Sequence, residues 1–350
     1  MKALVFNGPR DIRYETFPDP ELSSENSVIL KVNKCSICGS DLHIYHGDQI
    51  SSTNYGGSVN KFCVGHEFTG EVVEVGPDVR IFKKGDRVLA AGGTGCGKCD
   101  ACRTGFPDRC RRATAFGLSN QMNGGQAEYV SVPNADRTLH IIPEGVSDEQ
   151  AILLTDAMAT AYFGISRTDL SPGDSVAIVG LGPIGLIGVE LAYTLGASVV
   201  YAIDPVKARR DHAEALGAIA LAPGDEALQT IREATQGRGV DCVFEASGAR
   251  AAVDSVLKFV RAQGTVSFIG LPQADVMLPL ANILYKNVTL RAGVAPVSHL
   301  WGDLLPLVQK GRVKAAGLFS HNMPLSEGTE AYRMFDARED GVLKIMLNID

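Results

Sequence analysis

The chain has 350 residues, 45% hydrophobic and 21% charged, which is the balance of a soluble globular protein long enough for two domains and excludes a disordered chain. Acidic residues outnumber basic ones for a net charge of -7, so no broad positive field is available to neutralise phosphates and nucleic acid is not an expected partner. The opening MKALVFNGPRDIRYE carries no apolar core behind a basic start and no small-residue cleavage site, so no signal peptide is expected and the expected location is cytoplasmic.

From the start to about residue 150 the pattern is short β-rich runs punctuated by glycine and proline: MKALVFN, IRYETF, SVILKVN, EFTGEVVEVG and DRVLAAG. These predict an all-β core decorated with loops, with the polar stretch 47–60 an exposed loop. Within this half, Cys38-Gly39-Ser40-Asp41-Leu42-His43 follows a strand and Gly65-His66-Glu67 precedes another. Alone, each is weak, because a solitary cysteine or histidine is more often a packed or solvated residue than a ligand. Beside a cofactor domain they invite a mixed S/N/O zinc site with three protein ligands and a fourth position open to a substrate oxygen.

Further on, GCGKCDACRTGFPDRC places Cys96, Cys99, Cys102 and Cys110 in a CxxCxxCx7C array. Four thiolates at this spacing can turn back onto one tetrahedral ion and close its coordination sphere, so the expected metal is a structural zinc. Disulfides and an iron–sulfur cluster are the alternatives; closely spaced sulfurs in a reducing compartment favour zinc. Cys35, Cys63 and Cys242 read as small buried residues.

After Ser171-Pro172-Gly173-Asp174 the texture changes to apolar strands alternating with amphipathic helices: SVAIVG, a helix to about Gly196, SVVYAID, a helix over 205–216, then GVDCVFEAS, GTVSFIG and NVTLRAGV. Such alternation predicts a Rossmann, doubly wound parallel-sheet coenzyme domain over residues 154–297. The closing segment, with GDLLPLVQKG and LKIMLNI, returns to the first domain, so a catalytic zinc-binding domain is expected over 1–153 and 298–350. The apolar stretch 176–189 is too short for a membrane span, is interrupted by Gly180, Gly182, Pro183, Gly185 and Gly188, and ends at Glu190; no membrane partner is expected.

Gly180-Leu181-Gly182-Pro183-Ile184-Gly185 fits GxGxxG directly after a strand and at the opening of a helix. The first glycine permits the tight turn, the second lets a pyrophosphate approach the backbone, and the third allows helix and strand to pack closely. Pro183 suits the first helical turn. Asp204, at the end of the second strand, is placed to accept hydrogen bonds from the adenosine ribose hydroxyls, and Arg209 could sit beside the same ribose or a phosphate. A 2'-phosphate would meet like charge at Asp204, so NAD is expected over NADP. Asp204 as a helix cap is the compatible alternative.

The run Gly65-His66-Glu67-Phe68-Thr69-Gly70, followed by Gly76 and Val79, has the spacing GHExxGx5GxxV. With CGSDLH, the four-cysteine lobe and GLGPIG in this order, the chain resembles, end to end, the zinc-containing alcohol dehydrogenases of the medium-chain dehydrogenase/reductase family. The resemblance implies that Cys38 and His66 bind a catalytic zinc, with Glu67 beside it as an alternate ligand. It implies Asp156 as third ligand, where animal and plant members have cysteine and the bacterial secondary-alcohol branch has aspartate. It also implies a proton relay from Ser40 through the cofactor ribose to His43, with Asp41 orienting His66. The expected reaction is hydride transfer between an alcohol and NAD, giving a ketone or aldehyde. A polyol or diol dehydrogenase is the alternative, and a zinc-free NADPH quinone or enone reductase a more distant one. The expected partners are a small alcohol or carbonyl substrate and further copies of the chain, a tetramer before a dimer. Tyr55, in the loop between two expected ligands, is a candidate substrate contact.

Overall fold

The structure is a computed structural model and describes residues 1–50, 53–54, 61–272, 274–339 and 341–349; Tyr55 lies outside the described residues. The chain forms two compact units, one of residues 1–156, 296–309 and 316–350, the other of residues 157–295 and 310–315.

The first unit is built on strands. Lys2–Gly8 pairs antiparallel with Asp11–Thr16 and with Phe62–Cys63. The larger sheet has seven strands and centres on Val28–Ser36, which pairs antiparallel with Glu67–Val75, Tyr129–Val132 and Ile345–Asn348. VILKVNKCS suits a central strand: its β-branched residues pack on a pleated surface, Lys31 and Asn33 are exposed and Lys34 is half-buried. Gly70 allows the neighbouring strand to approach, since a Cβ there would lie 2.4 Å from the Lys31 carbonyl oxygen. Two register shifts, at Ile29/Leu30 and Val32/Lys34, kink this pair. The core beneath includes Leu30, Val32, Phe62, Phe68, Val88 and Phe116, all essentially inaccessible. Phe68 and Phe116 meet edge-on with centroids 5.0 Å apart, a geometry worth about 1 kcal/mol beyond area burial.

The register of this sheet gathers three elements at one point. Ser36 lies opposite Glu67 on one side and Met346 on the other, so the end of one strand, the start of a second and the last strand of the chain converge.

The second unit is a six-stranded parallel sheet ordered Ile219–Leu221, Val199–Ile203, Ser175–Val179, Val240–Glu245, Val260–Phe268, Thr289–Ala292. Numbered within the unit, that is 3-2-1-4-5-6, the dinucleotide-binding order, with its switch point beside the first strand. The apolar stretch over 176–189 resolves into the strand Ser175–Val179, a turn and the helix Pro183–Thr194. Among the described residues, no helix is long and apolar enough to cross a membrane.

Candidate metal centres and active site

The strand Val28–Ser36 runs into Cys38, which precedes the helix Gly39–His46. The Asp41 carboxylate ties this helix start together by accepting from the Cys38 backbone N–H at 2.9 Å. His66 stands immediately before the strand Glu67–Val75, and Gly65 before it is held at φ 94°, where a Cβ would collide with Gln126 at 2.3 Å. Asp156 occupies the bend between the helices Asp148–Leu154 and Ala157–Ser166.

Four ligand atoms, one each from Cys38, His66, Glu67 and Asp156, lie within 4.8 Å of one another. Cys38 Sγ is 3.2 Å from Asp156 Oδ2, and His66 Nε2 is 3.8 Å from the same oxygen. Zinc bonds of ordinary length give tetrahedral edges of about 3.3–3.8 Å, so the Cys38–Asp156 and His66–Asp156 separations are close to those of one coordination sphere. Glu67 Oε1 is buried with no hydrogen-bond partner, an orphaned acceptor on a residue of the same cluster. One soft sulfur, one imidazole and carboxylate oxygens are the donor chemistry of an open zinc site, and the residues therefore fit the metal.

The surroundings act on each ligand. His66 Nδ1 lies 3.0 Å from Asp41 Oδ1, which is wholly buried, so the ring's second nitrogen Nε2 is left for the cluster. Burial by itself would lower the imidazole, but Asp41 and Asp156 outweigh it and hold His66 well above the ordinary value. Burial and the charges of Asp156 and Glu67 push the Cys38 thiol up to about 11. Against burial, the His66 ring holds Asp156 below the usual carboxylate range. Ser40 Oγ lies 3.2 Å from His66 Nε2. The structure thus brings Cys38, Ser40, Asp41, His66, Glu67 and Asp156 together, and turns His43 Nδ1 toward Asp48 at 2.9 Å.

One residue of this site is invisible to sequence reasoning. Lys344 is 2% exposed, donates to Glu67 Oε2 at 2.6 Å, and shares that oxygen with Ser36 Oγ. Burial opposes its charge, but the Glu67 carboxylate overcomes it and raises the ammonium above its ordinary value. No spacing links residues 277 positions apart; only the pairing of Ile345–Asn348 with Val28–Ser36 sets Lys344 beside Glu67.

The second cluster joins Cys96, Cys99, Cys102 and Cys110. All are free, so the disulfide alternative does not hold here. The backbone wraps the sulfurs: Cys99 N–H donates to Cys96 Sγ at 3.4 Å, and the N–H groups of Cys96 and Arg112 each donate to Cys110 Sγ at 3.3 Å. Backbone N–H groups of Lys98 and Cys99, with Arg112, bring Cys96 down to about 5, whereas burial and Cys99 lift Cys102 to about 12. Cys96 and Cys110, cradled by N–H donors, are prepared as thiolates, and four sulfurs on one ion would leave no place for a substrate. Cys35, Cys63 and Cys242 are buried.

In the second unit the GxGxxG turn has the geometry a dinucleotide needs. Gly180 sits at φ 94° against Ser247, and a Cβ on Gly185 would lie 1.9 Å from the Gly180 oxygen, so helix and turn touch. Gly182, by contrast, faces open space and caps the helix whose first residue is Pro183 and second Ile184. A helix N-terminus with open space at Gly182 fits a pyrophosphate. Asp204 accepts from the Leu181 N–H at 2.7 Å and the Val206 N–H at 2.8 Å, so it braces the turn and caps the segment after it, with Arg209 Nη1 3.8 Å away. Glu245 is a second residue that sequence reasoning missed: its buried carboxylate accepts from Ser247 N–H and Gly248 N–H, both at 2.9 Å, and fixes the loop that packs on Gly180.

Comparison with known proteins agrees with both halves. Residues 24–144 match the family model of the alcohol dehydrogenase GroES-like domain, and residues 183–310 that of the zinc-binding dehydrogenase. A probable zinc-binding alcohol dehydrogenase of Mycobacterium tuberculosis is 38% identical, over all of this chain and 89% of the relative. The sorbitol dehydrogenase of Bacillus subtilis is 32% identical, over 99% of this chain and 97% of its own. The solved alcohol dehydrogenase TADH from Thermus sp. ATN1 superposes with a TM-score of 0.91 at 35% identity, each chain covered completely. With its two ligand clusters and its Gly-rich turn, the chain belongs to the zinc-dependent alcohol dehydrogenases of the medium-chain dehydrogenase/reductase family.

Proposed function

We propose that this protein is an NAD-linked dehydrogenase of secondary or primary alcohols, with polyols and diols the second substrate class to test. The observation that carries the reading is the convergence of Cys38, His66, Glu67 and Asp156 within 4.8 Å. Zinc, when bound, supplies a Lewis acid for the alcohol oxygen and the nicotinamide accepts hydride, so alcohol and NAD give carbonyl, NADH and a proton. Cys38, His66 and Asp156 would hold that metal, with Glu67 available as an alternate ligand. Cys96, Cys99, Cys102 and Cys110 would hold a second, structural zinc. Ser40, 3.2 Å from the ligand nitrogen of His66, would take up the hydroxyl proton and pass it through the cofactor ribose to His43. Asp41 keeps His66 in one tautomer and orientation. A zinc-free reductase would leave these ligand side chains without a task.

The unit of residues 157–295 would bind the dinucleotide on Gly180, Gly182, Pro183, Ile184 and Gly185, with Asp204 setting the preference for NAD and Arg209 beside it. Asp204→Gly should weaken NAD about tenfold and favour NADP, as read by NADH and NADPH fluorescence titration; an unchanged preference removes Asp204 from the ribose. The polyol reading is favoured by the likeness to a sorbitol dehydrogenase. Initial rates with primary alcohols, secondary alcohols, diols and polyols, each with NAD and NADP, decide the class, and absence of turnover across the panel would end the proposal.

The same reading includes a cytoplasmic setting, which keeps eight free cysteines reduced. It also includes a homo-oligomer, a tetramer before a dimer. Met277, Leu280, Leu284 and Tyr285 are 64–90% exposed, and the nearby strand Thr289–Ala292 ends the parallel sheet with an open edge among the described residues. Exposed apolar surface beside an unpaired edge is what a second copy would cover. Sedimentation of the purified protein tests this, with a monomer as the contrary result.

A further inference from the structure

Alcohol oxidation releases a proton that has to reach solvent, and the helix Gly39–His46 leads to more titratable groups than the two already assigned to that task. His43 Nδ1 lies 2.9 Å from Asp48 Oδ2, and the same oxygen lies 4.0 Å from His46 Nδ1. His46 turns its other nitrogen, Nε2, to Asp336 Oδ1 at 2.6 Å, and Arg10 Nη1 holds the second oxygen of Asp336 at 3.2 Å. Side-chain exposure rises from 10% at His66 and 12% at His43 to 32% at Asp48, and is 24% at His46 and 22% at Asp336, so every group beyond His43 is half-buried and within reach of water.

Local sequence produces the row. His43 and His46 are three residues apart and share a helix face. Gly47 then adopts φ 72°, a left-handed cap, and the Asp48 N–H bonds back to the His43 carbonyl at 2.9 Å. The chain reverses over its own last turn, which lays the Asp48 carboxylate beside both rings. Asp336 comes from the helix Gly328–Ala337 and Arg10 from the turn after the strand Lys2–Gly8, so the outer end is held by two other elements.

We propose that Asp48 is a positioning residue for His43, and that Asp48, His46 and Asp336 form the outward path of the proton that His43 receives. The inference rests on the relay reading above. A carboxylate on Nδ1 fixes the His43 tautomer, so that a proton is taken at Nε2 while the one on Nδ1 passes to Asp48 Oδ2. From there it moves to His46 Nδ1 across a gap that one water closes, and the Nε2 proton of His46 leaves through Asp336. No electrons move in these steps; each ring gains one proton and gives up one.

Asp48 is the carboxylate nearest His43, with His46, Asp336 and Arg10 the other charged or titratable groups of the row. Its contact with Nδ1 selects the His43 tautomer, so Asp48→Asn should change the tautomer balance of that ring, read from its nitrogen shifts by histidine NMR in the cofactor-free protein. The low-pH limb of alcohol oxidation should shift and the plateau kcat should fall about threefold to tenfold. Asp48→Glu should restore the wild-type limb, which a merely structural role would not require, and His46→Asn should lower the plateau while free imidazole in the buffer restores it. An Asp48→Asn protein whose His43 tautomer or pH profile overlays wild type, while His43→Ala loses turnover, overturns the proposal and leaves the relay standing. Wild-type turnover in His43→Ala removes the relay itself and the proposal with it.

Discussion

The two ligand clusters of the first unit solve the same problem in opposite ways. The four cysteines span fifteen residues of chain and are wrapped by their own backbone N–H groups, so a local turn creates the site. The open site draws Cys38, His66 and Asp156 from three places in the sequence and depends on an antiparallel sheet to bring them within reach. A local site can be complete and closed; a site made by topology has sides, and one of them can be left for a substrate. The contrast predicts that damage to the first cluster is felt in folding and damage to the second in chemistry.

Exchange of single ligands gives the largest effects. Cys38→Ser should cost about a thousandfold or more in kcat/KM, the several kcal/mol a Lewis acid contributes, with the unfolding temperature nearly kept. Cys99→Ser should instead lower the unfolding temperature or the yield of folded protein, because a closed zinc site contributes to folding. Calorimetry and steady-state rates on the two variants break the contrast if Cys99→Ser folds normally but does not turn over.

Lys344 sharpens it further. Lys344→Met leaves the Glu67 carboxylate buried and unpaired, at a cost of about 3–5 kcal/mol and a Tm lower by roughly 10 °C. The double variant Lys344→Met, Glu67→Gln should recover much of that loss in thermal melts. If the single variant melts with the wild type, the ion pair does not support the open site.

Acid should act on the open site through its ligands. Cys38 is lifted to about 11 and His66 is raised above its ordinary value, so in the metal-free protein both carry protons at neutral pH. Zinc has to displace them, and its affinity should fall on acidification by up to about a hundredfold per pH unit. Competition with a chelating dye between about pH 6 and 8 measures the slope, and a flat profile contradicts the protonation states derived from the geometry.

The same contrast decides how much was legible in the sequence. The four-cysteine spacing and GLGPIG carry their structure in neighbouring residues, and the parallel strands around them announce themselves as apolar runs between helices. Cys38, His66 and Asp156 were readable because family resemblance supplied the order that no local pattern does. Lys344 and Glu245 were not readable. One meets Glu67 through the last strand of the chain, and the other is an ordinary acidic strand end until the fold buries it under two backbone N–H donors. Asp48 belongs to the same class, since its place over His43 and His46 depends on the left-handed turn at Gly47.

Zinc content tests the central claim most directly. Metal analysis of purified wild type, Cys38→Ser and Cys99→Ser should give about two, one and one zinc ions per chain, with the remaining ion in Cys38→Ser held by the cysteine lobe. A wild-type protein with a single zinc that Cys38→Ser leaves in place would contradict the existence of an open metal centre on Cys38, His66 and Asp156.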